Sequence, residues 1–330
     1  MNSCNLACIS IKSIPAIKGI RETFNKSAIV DFTKFCNSIG RCDAWMVASD
    51  YVFRDGNRKY DTMVFAIIPV VKDVIAFRDE IENVEKQDLK RRKKIKNDFV
   101  NLLKSNKVFH VVLNFEKSYL LGDDLASELK NMTMILQSFE NAFPILERGV
   151  GDALQKSQIG LAKKSIGLLI AELAKGMTND KVSMVREVLT LVNVLGFLVS
   201  VIHSAGGGKI VTLLPDRDPI YDLVGTGSDA YFPQMTLMMA NAFVTAYCHG
   251  SGYVDVVCAV PPNTGAVWSD PLNRLADYFA GAFARLETEK VMQDKVLNKL
   301  IVDYGFDNEK VVVLNVGNTC VSRYDFNVVW

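Results

Sequence analysis

The sequence predicts an α/β fold, a mixed sheet flanked by helices, and three observations lead to this prediction. Short runs of β-branched and aromatic residues alternate with helical patterns along most of the 330-residue chain. An almost continuous helical pattern from 152 to 203 interrupts this alternation. The final segment, residues 306–330, has the pattern of a C-terminal β-hairpin. We therefore expect a single domain, residues 1–330, with a helical insertion at residues 152–205.

A β-hairpin is predicted near the start of the alternating region. Strand formers run from Ala44 to Phe53, the sequence Arg-Asp-Gly-Asn at 54–57 supplies the turn, and a second apolar run extends from Tyr60 to Val71. Residues 72–105 then follow a helical pattern that is first acidic and then strongly basic.

The remaining elements are predicted from the same signals. The glycine-rich segment at 204–208 ends the helical insertion, and Asp270 before Pro271 opens a long helix. The predicted elements are strands at 108–115, 209–214 and 253–260, helices at 123–141, 232–248 and 270–304, and a closing hairpin over 311–330.

Composition excludes several classes of protein. The formal net charge is +1, so nucleic-acid binding would require a local basic patch. Seven cysteines without a Cys-x-x-Cys pair argue against a disulfide framework and a thiolate zinc site, and favour a cytoplasmic location. The most apolar stretch, Val188–Ile202, is interrupted by Asn193 and Gly196, which indicates a buried core helix and no membrane span.

Asp50 is the first of five aspartates that are candidates for chemistry. On a strand it shares a face with Met46, Ala48 and Val52, and a carboxylate among apolar neighbours requires a cation or several donors. The alternative is that the strand is already entering its turn, so that Asp50 is solvated at the rim of the sheet.

Asp216 and Asp218 directly follow the apolar run that ends at Leu214. Ligands of open α/β sheets collect beyond strand ends, which favours Asp216 as a ligand. The alternative is a turn, because aspartate next to proline commonly forms one. Pro219 makes this structural role the stronger explanation for Asp218.

Asp270 and Asp277 belong to the start of the long C-terminal helix. Asp270 precedes a proline at the first helical position and is predicted to cap the helix. Small residues at 276, 280 and 284 allow this helix to pack closely on a sheet, and Asp277 would border that packed surface. If these distant carboxylates converge, a shared divalent cation is the simplest explanation, and it indicates a metal-dependent nuclease.

The strand and helix that carry Asp50 and Asp277 resemble an uncharacterised family of ribonuclease H-like fold. That family opens with an Asp-Glu-Ser-Gly strand and closes with a Leu-Gln-x-Ala-Asp helix. Here the opening segment is Ala-Ser-Asp-Tyr-Val-Phe at 48–53, and the closing segment is Asp-Pro-Leu-Asn-Arg-Leu-Ala-Asp-Tyr-Phe-Ala-Gly at 270–281. The Glu-Ser-Gly of the opening motif and the glutamine of the closing motif have no counterpart in this chain.

The resemblance implies two Mg²⁺ or Mn²⁺ ions bound by Asp50, Asp216 and Asp277, with Asp218 or Asp270 as auxiliary ligands. It also implies hydrolysis of phosphodiester bonds in DNA or RNA by a two-metal mechanism. A bacterial or mobile-element antiviral defence setting is a further implication of the resemblance alone.

The strongest cluster of positive charge is a candidate nucleic-acid contact. A basic helical face can neutralise phosphates, although such a run is commonly just a solvated helix. The residues expected to contact nucleic acid are Lys90, Arg91, Arg92, Lys93 and Lys94.

Two alternatives to a nuclease follow from the same residues. One is a non-catalytic ribonuclease H-like module that binds a nucleic acid or a protein partner, and the other is an enzyme acting on a small phosphate ester. The closing hairpin, which ends in Val-Val-Trp at 328–330, offers an apolar strand edge for a protein partner or a homo-oligomer.

Overall fold

The computed structural model describes most of the chain. The described residues are 14–71, 73–86, 95–105, 108–149, 151–218, 220, 231–248, 254–261, 265–286, 299–305, 309–318 and 320–324.

Strands and helices alternate along these residues as the sequence predicts. The strands are β1 (Ala44–Val52), β2 (Tyr60–Pro69), β3 (Phe109–Glu116), β4 (Ile210–Pro215), β5 (Asp255–Cys258), β6 (Val311–Val316) and β7 (Val321–Arg323). The α-helices are α1 (Pro15–Thr23), α2 (Ile29–Ile39), α3 (Val74–Val84), α4 (Asn97–Lys104), α5 (Leu125–Gly149), α6 (Ala153–Lys175), α7 (Asn179–Gly206), α8 (Tyr231–Tyr247) and α9 (Asp270–Phe283). Phe24–Ala28 and Ile301–Gly305 are π-helical turns.

The described strands form a mixed sheet in the order β5-β4-β1-β2-β3-β6-β7. β1 pairs antiparallel with β2 and parallel with β4, while β3 pairs antiparallel with β2 and parallel with β6. The predicted α/β class with a mixed sheet is therefore confirmed. β6 and β7 form the predicted closing hairpin, but residues 325–330, on which its apolar edge depends, lie outside the described residues.

The residues form two compact units, of which the first contains the helices α5 to α8. Within it, α5 packs against α6, and α6 packs against α8. Among the described helices, α7 has the length and mean hydropathy of a membrane span, and 83% of its most apolar window is buried inside the protein. This burial agrees with the prediction of a core helix at 188–202.

The second unit contains β1 to β4, β6 and β7, with helices on both faces of these strands. On one face, alternate residues such as Ala48, Val64 and Val112 join a buried cluster with apolar residues of α3, α4 and α9. On the other face, Phe32 of α2 packs edge-on against Phe109 of β3, with ring centroids 5.1 Å apart. The prediction that helices flank the sheet is thus confirmed.

Helix α9 lies over β1 and β2 and is shorter than predicted. Ala276, Ala280 and Ala284 are fully buried, and their small side chains let the helix approach the sheet. The predicted helix over 270–304 is wrong, because α9 ends at Phe283. The helix ends because of a contact with a distant segment. The Ala284 carbonyl accepts hydrogen bonds from the Lys59 and Tyr60 amides at 3.1 and 3.3 Å, so the start of β2 supplies the donors that a further helical turn would supply.

His110 lies at the centre of this core and is fully buried. Its Nε2 donates to the Leu275 carbonyl at 3.2 Å, which leaves Nδ1 to accept from the Tyr304 hydroxyl, also at 3.2 Å. The imidazole stacks on the Phe279 ring with centroids 4.2 Å apart. Burial lowers the pKa of His110 from 6.5 to about 3, so this histidine is a neutral core residue.

The pKa of His110 predicts acid sensitivity of the fold. Between pH 6.5 and about 3 the unfolded chain binds a proton at His110 and the folded chain does not, so the free energy of unfolding falls as the pH falls. From pH 7.5 to 5.0 we expect this residue to remove about 2 kcal/mol. Urea unfolding of the wild type and of His110→Gln at both pH values measures it. An equal loss of stability in both proteins would contradict the assignment.

Candidate functional site

Asp50 lies two residues before the end of β1, and Asp216 directly follows the neighbouring parallel strand β4. The register of β1 and β4 pairs Ala48 with Leu214 and Ser49 with Pro215. The Asp216 amide donates to the Ser49 carbonyl at 2.8 Å, which continues the ladder one residue beyond β4. Asp216 is therefore the neighbour of Asp50 across the two strands. Adjacent strands are about 4.8 Å apart, so the two backbones are close.

Strand alternation gives both carboxylates the same face of the sheet. Asp50 follows Ala48 by two residues and Asp216 follows Leu214 by two, and both apolar residues belong to the core cluster that includes α9. Both aspartates are half-buried, which is the environment expected at the rim of a core. The sequence analysis therefore named two residues that the fold brings together.

Helix α9 approaches the end of β4 through Asn273. The Asn273 Nδ2 donates to the Pro215 carbonyl at 3.4 Å, and Pro215 directly precedes Asp216. Asn273 is buried, and its Oδ1 has no hydrogen-bond partner among the described residues. Asp277 follows one turn later and is half-buried. Side chains four residues apart on a helix are about 5–6 Å apart at Cβ, so Asp277 continues the face that Asn273 begins.

Asp218 and Asp270 have structural roles in the described residues. The Asp218 Oδ1 accepts from the Ile220 amide at 2.9 Å, which is the geometry of an aspartate turn. The Asp270 Oδ2 accepts from the Val267 amide at 2.9 Å, and its Oδ1 lies 3.7 Å from Arg217 Nη2. The Asp218 contact matches the turn alternative. Asp270 does not cap α9 as predicted, because the N-cap is Ser269 and the Asp270 carboxylate accepts from an amide of the preceding turn.

The five aspartates do not form one ligand cluster. Within the described ranges, no group of three or more His, Cys, Asp or Glu side chains is arranged to hold a metal ion. The candidate site is therefore the Asp50–Asp216 pair, with Asn273 of α9 bonded to the Pro215 carbonyl next to it.

The donor set of this pair fits a hard divalent cation. Mg²⁺ is usually bound by one or two carboxylates, several waters and substrate phosphates rather than by a complete protein cage. Asp50 and Asp216 supply two carboxylates, and the unpartnered Asn273 Oδ1 is a buried amide oxygen beside them.

The basic segment that was predicted to contact nucleic acid falls on residues that the structure does not describe. Lys90, Arg91, Arg92, Lys93 and Lys94 all lie outside the described residues. The adjoining residue Lys96 donates to the Val84 carbonyl at 2.7 Å and so caps the end of α3. A nucleic-acid contact in this segment remains a prediction.

Three residues near the candidate site were not identified from the sequence alone. Asn273 lies one turn before Asp277, and Arg217 stands between Asp216 and Asp218, so the sequence analysis identified the neighbouring aspartates and not these two residues. Trp268 lies in the turn before α9 and is exposed.

In comparisons with known proteins, no family model, no curated protein and no solved structure matches this chain.

Proposed function

We propose that this protein is a metal-dependent nuclease of ribonuclease H-like fold that hydrolyses phosphodiester bonds in DNA or RNA. The observation that carries the proposal is the position of Asp50 and Asp216 at the ends of adjacent parallel strands, on the face that α9 covers. Asp50 and Asp216 are separated by more than 160 residues in the sequence, and they are neighbours across β1 and β4 in the sheet.

The strand order supports the fold assignment. In ribonuclease H-like folds the first strand lies between the second and the fourth, with the third beyond the second and the fifth beyond the fourth. The segment β5-β4-β1-β2-β3 has this order, and β6 and β7 extend it past β3. The first strand is antiparallel to the second and parallel to the fourth, as in that fold.

Each residue of the site has a defined task in this proposal. Asp50 and Asp216 would hold Mg²⁺ or Mn²⁺, the Asn273 Oδ1 would offer a further oxygen donor, and Asp277 lies one turn further along α9. When bound, such an ion activates water and neutralises charge on the scissile phosphate. The half-buried position of the two carboxylates excludes part of the bulk water and strengthens their interaction with a cation.

A second candidate function is a binding module of the same fold without catalysis. It is favoured by the lack, within the described part of the chain, of a group of three ligating side chains. Such a module would bind a nucleic acid or a protein partner and would not depend on a bound cation.

A cleavage assay separates the two candidates. The full chain is incubated with end-labelled single- and double-stranded DNA and RNA, in Mn²⁺ or in EDTA. The nuclease proposal expects cleavage of at least one of the four substrates in Mn²⁺ and none in EDTA. Binding without cleavage under both conditions would contradict the nuclease and favour the module.

A further inference from the structure

The exposed side of α6 carries a row of three leucines. Leu154, Leu161 and Leu168 are 67%, 48% and 48% exposed, and no other helix in the described part of the chain has more than one large exposed apolar side chain. A spacing of seven residues keeps the three side chains on one face, with a drift of only about 20° per step. In coiled coils, a row with this spacing packs against a second helix.

The leucine row is separate from the side of α6 that packs inside the protein. The buried residues of this helix are Ile159, Ala162, Ile166, Leu169 and Leu173. They recur at intervals of three and four residues, and α6 packs against α5 and α8. A surface helix needs one apolar face to fold, and the leucine row is a second one.

A row of small residues lies beside the leucines. Ala153, Gly160 and Gly167 each precede a leucine of the row by one residue, and Ala174 continues the spacing of seven. All four are at least partly exposed. Apart from α6 itself, no described atom lies within 4 Å of the place that a Cβ at Gly160 would take. Because the distance between two packed helices depends on the side chains at the contact, this row gives room for a second helix.

Lysines surround these two rows. They are Lys156, Lys163, Lys164 and Lys175, and all four are exposed. Within the described ranges, none of them has an ion-pair partner. Glu172 of the same helix is neutralised, since its Oε2 lies 2.9 Å from Lys181 Nζ of α7. One further carboxylate, that of Glu140 on α5, lies beside Gly167, so the face keeps an excess of positive charge.

These features together select an acidic helix as the occupant of the face. A second copy of this chain would bring the same lysines together, which repulsion between like charges opposes. Membrane-surface helices have a wide apolar face that includes aromatic rings, whereas the exposed positions of α6 include no aromatic residue. Acidic side chains on either side of an apolar row complement both the leucines and the unpaired lysines.

We propose that this face of α6 binds an amphipathic helix of another protein, whose apolar residues recur every three to four positions and are flanked by glutamate or aspartate. The interaction does not involve the Asp50–Asp216 pair, so it holds whether or not the protein cleaves phosphodiester bonds.

A designed acidic peptide is the probe for this interaction. A fluorescein-labelled peptide of about three heptads, with leucine at positions a and d and glutamate at e and g, is titrated with the full chain and its anisotropy is recorded. We expect saturable binding by the wild type. Loss of one buried leucine weakens binding by about 10- to 150-fold, so this loss is expected for Leu161→Gln. Ile75→Gln, at an exposed apolar position of α3, is the matched control and is expected to bind as the wild type does.

A charge reversal tests the role of the lysines. Lys164 follows Leu161 by three residues and precedes Leu168 by four, so it lies between them on the same face. At low ionic strength, Lys164→Glu is expected to bind the acidic peptide about fivefold or more weakly than the wild type does. It is expected to bind more tightly than the wild type a second peptide, in which lysine replaces each glutamate.

Several outcomes would overturn the proposal. They are no binding of the acidic peptide by the wild type, unchanged affinity in Leu161→Gln, an equal loss in the Ile75 control, and no change of peptide preference in Lys164→Glu. Without peptide binding, binding to anionic phospholipid vesicles that Leu161→Gln abolishes would assign the face to a membrane surface instead. A wild-type dimer in sedimentation equilibrium that Leu161→Gln dissociates would assign it to a second copy of the chain.

Discussion

Replacement of Asp50 by asparagine is expected to reduce Mn²⁺-dependent cleavage by about 1,000-fold, which corresponds to about 4 kcal/mol of transition-state stabilisation. Asparagine has the same shape as aspartate but lacks its charge, so the strand should fold as before and the cation should lose one of its two carboxylates. Initial rates at saturating Mn²⁺, with the substrate that the wild type cleaves, measure the effect.

Asp216→Asn is expected to give a loss of the same order, because Asp216 is the neighbour of Asp50 across β1 and β4. Asp43→Asn is the matched control: Asp43 is exposed, and Lys209 Nζ lies 3.2 Å from its carboxylate. The control is expected to cleave at the wild-type rate. Wild-type rates in both Asp50→Asn and Asp216→Asn would remove these carboxylates from the chemistry.

Replacement of Glu128 by alanine is expected to lower the free energy of unfolding by about 3–5 kcal/mol. Glu128 is fully buried, and its two carboxylate oxygens accept from Arg186 Nε at 2.5 Å and Nη2 at 2.8 Å. The Oε1 also accepts from the Leu121 amide at 2.9 Å, which joins the start of α5 to α7. Removing the carboxylate leaves a largely buried guanidinium without its counter-charge. Urea unfolding followed by circular dichroism measures the loss.

A second ion pair of the same unit provides the control. Lys181 Nζ lies 2.9 Å from Glu172 Oε2, and both side chains are about half-exposed. Glu172→Ala is therefore expected to cost less than about 1 kcal/mol. Replacing both Glu128 and Arg186 by methionine should destabilise less than Glu128→Ala alone, since no charge is left buried. Equal losses for Glu128→Ala and Glu172→Ala would show that burial does not strengthen the pair.

Much of the fold follows from local sequence signals. The hairpin of β1 and β2 was predicted from strand formers on either side of a turn. The helices from Pro15 to Ile39 were not predicted, although buried residues at Phe24, Ala28 and Phe32 recur at helical spacing and were a usable signal.

The errors concern contacts between distant segments. The end of α9 depends on the Ala284 carbonyl, which bonds to amides more than 220 residues earlier in the chain. Nothing near Ala284 in the sequence reports this contact. The helical pattern therefore extended too far.

In the candidate site, too, local signals could be read from the sequence and contacts between distant segments could not. Asp50 and Asp216 were identifiable because one lies late in an apolar strand and the other directly follows one, but their pairing depends on the register of β1 and β4, which only the folded sheet defines. The prediction that Asp270 caps α9 is wrong: the N-cap is Ser269, and the Asp270 carboxylate accepts from the Val267 amide in the preceding turn. Trp268 escaped notice because exposure is a property of the folded chain, and most tryptophans are largely buried.

Binding of Mn²⁺ tests most directly whether Asp50 and Asp216 share a cation. Mn²⁺ is titrated into the wild type, Asp50→Asn, Asp216→Asn and the Asp43→Asn control, and free Mn²⁺ is followed by electron paramagnetic resonance without any nucleic acid. We expect saturable binding by the wild type and the control, and affinity at least tenfold lower in both site variants. No binding by the wild type, or equal affinity in all four proteins, would contradict a shared cation at these strand ends.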